Sequence, residues 1–230
     1  MISALGGKTR PVGTLELVKL PRLIPGRELT LKEIHEYGFP HNGLTAEVYQ
    51  YRRKNLMHLF RGLKKVTAAR LLNLATFYGQ LSLTVFRGDG TIIPLGLVSF
   101  RVVTTAGVNY LATRLNDGNT FIGAFDFHAF GTGVGAEAVG DTTLGTELTT
   151  QYVGDVRPTG TPSNPSANVY QSVGTLSPDS GGTIAVTEHG LFSANAAGTL
   201  LDRSVFSAVN IVASSDSLQS TYSLTLSSGG

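Results

Sequence analysis

The sequence of 230 residues contains no cysteine, no tryptophan and only two methionines. Without cysteine, neither disulfide bonds nor thiolate metal sites are available to the fold. No apolar run approaches the roughly eighteen residues of a membrane span, so we expect a chain that does not enter a membrane. A chain of this length can bury a hydrophobic core large enough to be stable without disulfide bonds or structural metal ions. It would fold either as one large domain or as a small helical module attached to a β-domain.

Lysine is absent after Lys65, and the charges are divided unevenly along the chain. Residues 1–87 hold 14 Lys and Arg against 5 Asp and Glu, a balance of +9. Residues 88–230 hold 4 against 11, a balance of −7. Such asymmetry is typical either of a nucleic-acid-binding arm or of complementary surfaces on neighbouring subunits. In an ordered array the second is natural, since opposite fields steer head-to-tail contact.

The front half of the chain, residues 1–79, is predicted to form an arm followed by helices. Residues 1–28 are predicted as an extended basic arm, because their glycines and prolines prevent a long helix; the Leu and Val side chains of such an arm favour a partner surface over water. Residues 29–79 are predicted as a helical basic segment. A capping box at Thr30–Glu33 begins the first helix, Thr45 caps a second that runs to about Arg61, and a third covers about Val66–Tyr78.

Basic residues cluster in and between these helices. The simplest interpretation is a solvated helix face with i,i+4 ion pairs, and the functional one is contact with an acidic protein neighbour. Nucleic acid is disfavoured, because the stretch shows no helix-turn-helix, zinc or RNP pattern and no regular aromatic interleaving. The residues that we single out as candidate partner contacts are Arg52, Arg53, Lys54, Lys64 and Lys65.

The back half, residues 80–230, is rich in Gly, Ser and Thr and predicts short strands joined by tight turns. The Asp89-Gly90 pair predicts a β-hairpin. Eight or so strands at this spacing predict an antiparallel β-sandwich with Greek-key or jelly-roll-like connections. The fold class is therefore mainly β, with a helical N-terminal part and an extended N-terminal arm. A short helix is expected at Thr105–Leu115 and a long exposed loop at Arg157–Ala167. The predicted strands are Leu81–Arg87, one or two within Thr91–Thr104, Phe121–Phe130, Gln151–Arg157, Asn168–Leu176, Thr183–Phe192, Leu200–Phe206, Ala208–Val212 and Leu218–Leu226.

Six segments of the back half carry a family resemblance. They are FHAFGTG at Phe127–Gly133, AEAVGDT at Ala136–Thr142, ANVYQ at Ala167–Gln171, TEHGLFS at Thr187–Ser193, GTLLDRSVF at Gly198–Phe206 and TYSLTL at Thr221–Leu226. Together they resemble segments that recur in structural proteins of tailed-bacteriophage virions. The resemblance covers roughly residues 105–230 and excludes the basic front half. It implies a capsid decoration (cement) protein or a tail or fibre component, with no catalytic residue to carry over.

We therefore expect a non-enzymatic virion structural protein that needs no cofactor and is assembled in the host cytoplasm. The first expectation is a capsid decoration protein, a homo-oligomer that binds and stabilises the lattice of the major capsid protein. The alternative is a tail, tail-fibre or head–tail connector component, with other virion proteins as partners. A glycan hydrolase would require a pair of carboxylates in a groove, and usually a longer chain with repeated β-helical turns.

Three short motifs resemble known functional loops, and each has a simpler interpretation. Pro178–Gly182 resembles the nucleophile loop of chymotrypsin-like proteases but lacks the upstream histidine environment, so we interpret it as a turn. Arg87-Gly88-Asp89 matches an adhesion tripeptide at a predicted hairpin tip, where Gly-Asp-Gly suits the backbone. Gly131–Gly135 loosely resembles a phosphate loop but lacks the Lys-Ser/Thr that follows one, and predicts a flexible turn.

Two histidines lie beside acids at predicted strand ends: His128 near Asp126, and His189 next to Glu188. If the two strands are neighbours, His–carboxylate hydrogen bonds would pin the loops. A metal site or a catalytic role for this quartet would require a geometry that sequence does not reveal. We assign no catalytic and no metal-binding residue.

Overall fold

The computed structural model describes residues 46–71, 76–116 and 125–227. The predicted arm and the short helix expected to begin at the capping box Thr30–Glu33 lie outside the described residues. Two α-helices and eight strands follow one another within these ranges: α1 Ala46–Leu71, β1 Thr76–Phe86, β2 Ile92–Val102, α2 Thr105–Asn116, β3 Phe127–Gly131, β4 Thr161–Ser166, β5 Val169–Leu176, β6 Thr183–Phe192, β7 Leu200–Val212 and β8 Ser217–Ser227.

The strands form two antiparallel sheets that share one core. The five-stranded sheet has the order β2-β1-β8-β5-β4, and the three-stranded sheet has the order β3-β6-β7. Strand β8 shows why its residues form a sheet: Leu218 and Tyr222 are buried, whereas the alternate Thr221 is half-buried on the opposite face. Leu81 of the first sheet and Phe130 of the second belong to the same core cluster. The predicted class, mainly β with a helical N-terminal part and a sandwich-like arrangement, is confirmed; jelly-roll connections stay a prediction.

The prediction of two separate helices in this part of the chain is wrong. α1 runs unbroken from Ala46 to Leu71, where we expected one helix ending near Arg61 and another ending at Tyr78. β1 instead begins at Thr76 and pairs with β8 along its whole length. Gly79, interpreted as a helix stop, is a strand residue that has no room for a side chain: a Cβ there would lie 2.8 Å from Tyr222 Oη.

Other strand boundaries also differ. Gln151–Arg157, expected as a strand, contains a 3-10 turn at Val153–Asp155, because Gly154 and Asp155 adopt positive φ values of 70° and 55°. The segment expected as an exposed loop, Arg157–Ala167, is exposed from Thr161 onward, but Arg157 and Gly160 are buried, and residues 161–166 form the edge strand β4. Its two prolines are compatible only with an edge, because proline cannot donate to a neighbouring strand.

Two further strand boundaries differ from the prediction, and two other predicted elements agree with the structure. The two strands predicted within 200–212 form the single strand β7. The strand predicted at Phe121–Phe130 begins only at Phe127, and residues 121–124 of the prediction lie outside the described residues. Thr183–Phe192 and the hairpin at Asp89-Gly90 are confirmed.

Helix α1 packs against β2 at the edge of the larger sheet. The pairing of β2 with β1 skips Leu95 and Val98, which are the two irregular positions of that strand. The side chain of Arg52 donates through Nε to the Leu95 carbonyl at 3.0 Å, and Asn55 donates through Nδ2 to the Val98 carbonyl at 2.6 Å. Two helix residues three positions apart thus meet two bulges three positions apart.

The helix also joins the shared core, since Val48 and Tyr51 are buried in the same cluster as the strands. Tertiary contacts group residues Gly43–Gly230 into one compact unit. The predicted boundary at residue 80, and independent folding of the segment that follows it, stay predictions.

Candidate functional site

The outward side of α1 combines positive charge with exposed apolar surface. Arg53, Lys54 and Arg61 are exposed there. Met57 and Phe60, one and two helical turns beyond Arg53, are 68% and 49% exposed. Because the opposite side of the helix is fixed against the sandwich, this surface is held on a rigid scaffold. We call these five residues the basic helix surface.

Arg52, the first of the predicted contacts, is used inside the fold. Its guanidinium lies against Gly96, where a Cβ would be 2.6 Å from Nη2, and its Nε holds the Leu95 carbonyl. Partial burial lowers the pKa of Arg52 from its ordinary value. A substitution at Arg52 would therefore disturb the contact of α1 with β2 as well as any partner.

The remaining predicted contacts fall into two groups. Arg53 and Lys54 belong to the basic helix surface described above. Lys64 and Lys65 lie on the same continuous helix, but their side chains are outside the described part of the structure. Binding by any of these residues stays a prediction.

A buried polar centre lies between the two sheets. His128 from β3 and His189 from β6 are completely buried, with His128 Nδ1 3.0 Å from His189 Nε2. His128 also reaches across to the other sheet, where its Nε2 lies 2.8 Å from Ser172 Oγ and its Nδ1 2.8 Å from Ser220 Oγ. This centre therefore links β3 and β6 of one sheet to β5 and β8 of the other.

Both rings of the centre are neutral. Burial lowers the pKa of His128 to about 3. The pKa of His189 is also held well below its ordinary value, by burial and by the neighbouring His128. Within the described residues, Nδ1 of His189 has no hydrogen-bond partner. Although His128 and Ser172 form a pair of the base–hydroxyl type, complete burial prevents a substrate from reaching them, and we assign the centre a structural role.

The predicted neighbourhood of β3 and β6 is confirmed, but the hydrogen bonds of His128 and His189 go to each other and to serines, not to Asp126 or Glu188. Adjacent strand residues point to opposite faces, so Glu188 faces away from His189 and the sandwich interior. Its carboxylate instead accepts backbone N–H groups from Gly133 at 2.9 Å, Gly145 at 2.9 Å and Thr146 at 2.7 Å. The loops are thus pinned by Glu188 through backbone amides, and the expectation that His–carboxylate hydrogen bonds pin them is wrong.

The glycine-rich loop that follows β3 is therefore an anion cradle whose anion is the chain's own Glu188. The turn predicted there is tightly packed at its start, because a Cβ at Gly131 would lie 2.6 Å from Glu188 Oε1, and its flexibility stays a prediction. Burial opposes ionisation of Glu188, but the backbone amides and the Arg203 guanidinium outweigh it and hold its pKa below the ordinary value. Arg203 contributes hydrogen bonds of 2.7 Å and 2.9 Å to Glu188 Oε2 and one of 3.0 Å to Asp141.

Sequence reasoning missed the two structural arginines of the acidic half. Arg157 makes a bidentate ion pair with Glu147, at 2.6 Å and 2.8 Å, and stacks 3.5 Å from the centroid of the Phe192 ring. Arg203 binds the Glu188 cradle described above. A usable signal was present, because a segment with 11 acids and only 4 arginines gives each arginine several potential carboxylate partners.

The side chains of two of the short motifs, Arg87-Gly88-Asp89 and Pro178–Gly182, make contacts within the fold. Arg87 pairs with Asp216 at 2.7 Å and with Glu47 at 3.1 Å, while Asp89 accepts the Thr91 N–H within its turn. Ser180 Oγ donates to the Thr150 carbonyl at 2.7 Å on an exposed turn.

The described residues contain no group of three or more His, Asp or Glu side chains placed to hold a metal ion. None of the described helices is long and apolar enough to cross a membrane.

No protein-family model matches the chain, and no curated protein matches it significantly.

Proposed function

We propose that this chain is a non-enzymatic structural protein of a tailed-bacteriophage virion, and within that class a capsid decoration (cement) protein that binds the major capsid protein lattice. The single observation that carries the proposal is the basic helix surface. It presents exposed charge and apolar side chains on a helix whose other side is locked to a β-sandwich. A rigid domain that exposes charged and apolar side chains on one side is suited to binding a larger protein surface.

The resemblance to virion proteins supports the scaffold part of this proposal. His128, Glu188, His189 and Arg203 all lie in segments that carry the resemblance, and all of them serve the sandwich interior or its loops. The resemblance therefore concerns the folded body, and α1 lies outside it. In this proposal the attachment surface belongs to this chain rather than to the resembling proteins in general.

The charge of the basic helix surface selects the partner. An acidic protein surface would complement Arg53, Lys54 and Arg61, while Met57 and Phe60 would supply the apolar contact that carries most of the affinity. Exposed ion pairs contribute only about 0–1 kcal/mol each, so in this proposal the charges set orientation and association rate. Repetition over a lattice multiplies such modest contacts.

The experiment that tests attachment is co-sedimentation of the purified chain with DNA-free shells of the phage that encodes it. We expect the variant R53E/K54E to bind the shells roughly tenfold more weakly than the wild type, because each reversal replaces an attraction by a repulsion. Arg52 is left unchanged because of its contact with Leu95. The matched control R53K/K54R keeps both charges and should bind like the wild type.

Two outcomes would contradict this account. Equal binding by R53E/K54E would remove the basic helix surface from the contact. Binding to free DNA or to filled particles but not to empty shells would favour the nucleic-acid alternative. A tail, tail-fibre or connector location is the second candidate function, and it differs from the first in the number of copies per particle.

A further inference from the structure

The central strands of the five-stranded sheet are free of charge. Strands β1, β5 and β8, which form its centre, contain no Asp, Glu, Lys or Arg among their 30 residues (11, 8 and 11). Their outward positions are hydroxyl, amide or apolar side chains, and one pair of them, Gln171 and Ser223, is joined across strands at 3.1 Å. Exposed sheet surfaces of monomeric proteins normally carry charges that oppose association, so this face requires an explanation.

The outer face of the other sheet is covered by the chain itself. Leu144, from the loop after β3, packs there with Ala129, Phe192 and Leu200 in a second small cluster. The same loop surrounds the Glu188 carboxylate. No described loop or helix covers the corresponding face of the five-stranded sheet in this way. The two outer faces therefore differ both in composition and in cover.

We propose that the outer face of the five-stranded sheet binds the same face of a second copy of this chain. A self-complementary contact places a patch against itself, so charges of one sign would repel across it. A face whose central strands carry no charge avoids that penalty at its centre and leaves no unpaired ion to be buried there. A strongly charged partner surface, by contrast, would lose its own hydration against this face without gaining an ion pair.

The size of the face fits a stable pair. Five strands at about 4.8 Å spacing and eight paired residues at about 3.4 Å each give roughly 650 Å². Specific interfaces bury about 800 Å² per partner. Association through the sheet edge is disfavoured instead, because the edge strand β4 carries Pro162 and Pro165. This contact concerns the free protein and does not depend on which larger assembly it joins.

The test is the molecular mass of the full-length protein in solution, measured by sedimentation or light scattering over a dilution series. The variant T221K places a lysine at the centre of the face, since Thr221 lies on the middle strand between Ser82 and Val173. The matched control is T183K, the same change at an exposed position of β6 in the other sheet. Circular dichroism and thermal unfolding establish that each variant is folded.

We expect the wild type and T183K to form pairs with twice the chain mass of 24.3 kDa. T221K should associate roughly a hundredfold more weakly, because two unpaired charges would be buried. A wild-type protein that is monomeric throughout would overturn the proposal, whether the chain's first residues or a partner of another kind then covers the face. Undiminished association of folded T221K would overturn it equally.

Discussion

The side-chain oxygen of Asn55 on α1 accepts a hydrogen bond of 2.9 Å from the backbone N–H of Ser207 on β7, 152 positions later in the chain. The amide nitrogen of the same side chain donates to Val98 on β2. One buried asparagine thus satisfies a backbone group in each sheet at the side of the sandwich where α1 packs. The helix that carries the basic helix surface is thereby tied to both sheets.

We predict that Asn55→Ala lowers the free energy of unfolding by about 2–4 kcal/mol. The substitution leaves the buried Val98 carbonyl and the partly buried Ser207 N–H without partners, and a buried group left so costs about 1–3 kcal/mol. Urea denaturation measures the change. The control Lys54→Ala, at the neighbouring exposed position, should change the stability by less than about 0.5 kcal/mol. Equal effects of the two substitutions would contradict the bridging role of Asn55.

Stability should fall steeply as the pH drops below the ordinary histidine pKa of about 6.5. Because the pKa values of His128 and His189 are lowered in the folded protein, the unfolded chain takes up protons that the folded chain does not. Their stabilisation is complete above pH 6.5 and is lost on acidification towards the folded-state pKa, which is about 3 for His128.

Each histidine contributes about 1.4 kcal/mol per pH unit in this window, so the pair contributes nearly 3 kcal/mol per unit. Denaturation curves between pH 6.5 and 5 measure this slope before most carboxylates titrate. Replacing His189 by asparagine should remove about half of the slope that the pair contributes, whatever its effect on the absolute stability. A free energy of unfolding that does not change between pH 6.5 and 5 would show that both rings titrate at their ordinary pKa and are not shielded from water.

Because the His128 ring is closely packed, we expect that replacing one neighbouring glycine, Gly174, will destabilise the fold. A Cβ at Gly174 would overlap the Cγ and Cδ2 atoms of the His128 ring. Gly174→Ala should therefore destabilise the fold by about 1–3 kcal/mol, the usual cost of overpacking. Gly140→Ala is the matched control, because no atom lies within 4 Å of the Cβ position there. Thermal unfolding distinguishes the two, and similar midpoints would mean that the buried centre is loosely packed.

We expect the Ser180 hydroxyl to contribute little to the stability of the fold. Its hydroxyl donates only to the exposed turn at Thr150, so Ser180→Ala should cost less than about 1 kcal/mol. We expect the purified protein to hydrolyse neither peptide nor ester substrates. A hydrolase activity that disappears in Ser180→Ala would overturn our interpretation of Pro178–Gly182 as a turn.

Local pattern was sufficient to predict most of the strands, although it missed β4 and wrongly placed a strand at Gln151–Arg157. The alternation in β8 and the Asp89-Gly90 turn each give a local signal with a direct structural meaning. The division of α1 failed because Leu72, Leu74 and Phe77 continue a helical spacing, and only pairing with β8 shows that the chain has already changed to a strand.

The buried centre could not be predicted in the same way. The sequence placed His128 and His189 at strand ends, but which face each side chain occupies depends on register, and which residues oppose them depends on how the sheets stack. Ser172 and Ser220 are ordinary strand serines in the sequence. Three of the partners of Glu188 are backbone amides 42, 43 and 55 positions away, which carry no side-chain signal.

The central proposal, a capsid decoration protein, is tested most directly by the number of copies of this chain in purified particles of the phage that encodes it. Quantitative mass spectrometry against the major capsid protein gives that number. A lattice-binding protein should be present in hundreds of copies per particle. A dozen copies or fewer would place the chain in the tail or connector, and its absence from purified particles would contradict a virion role altogether.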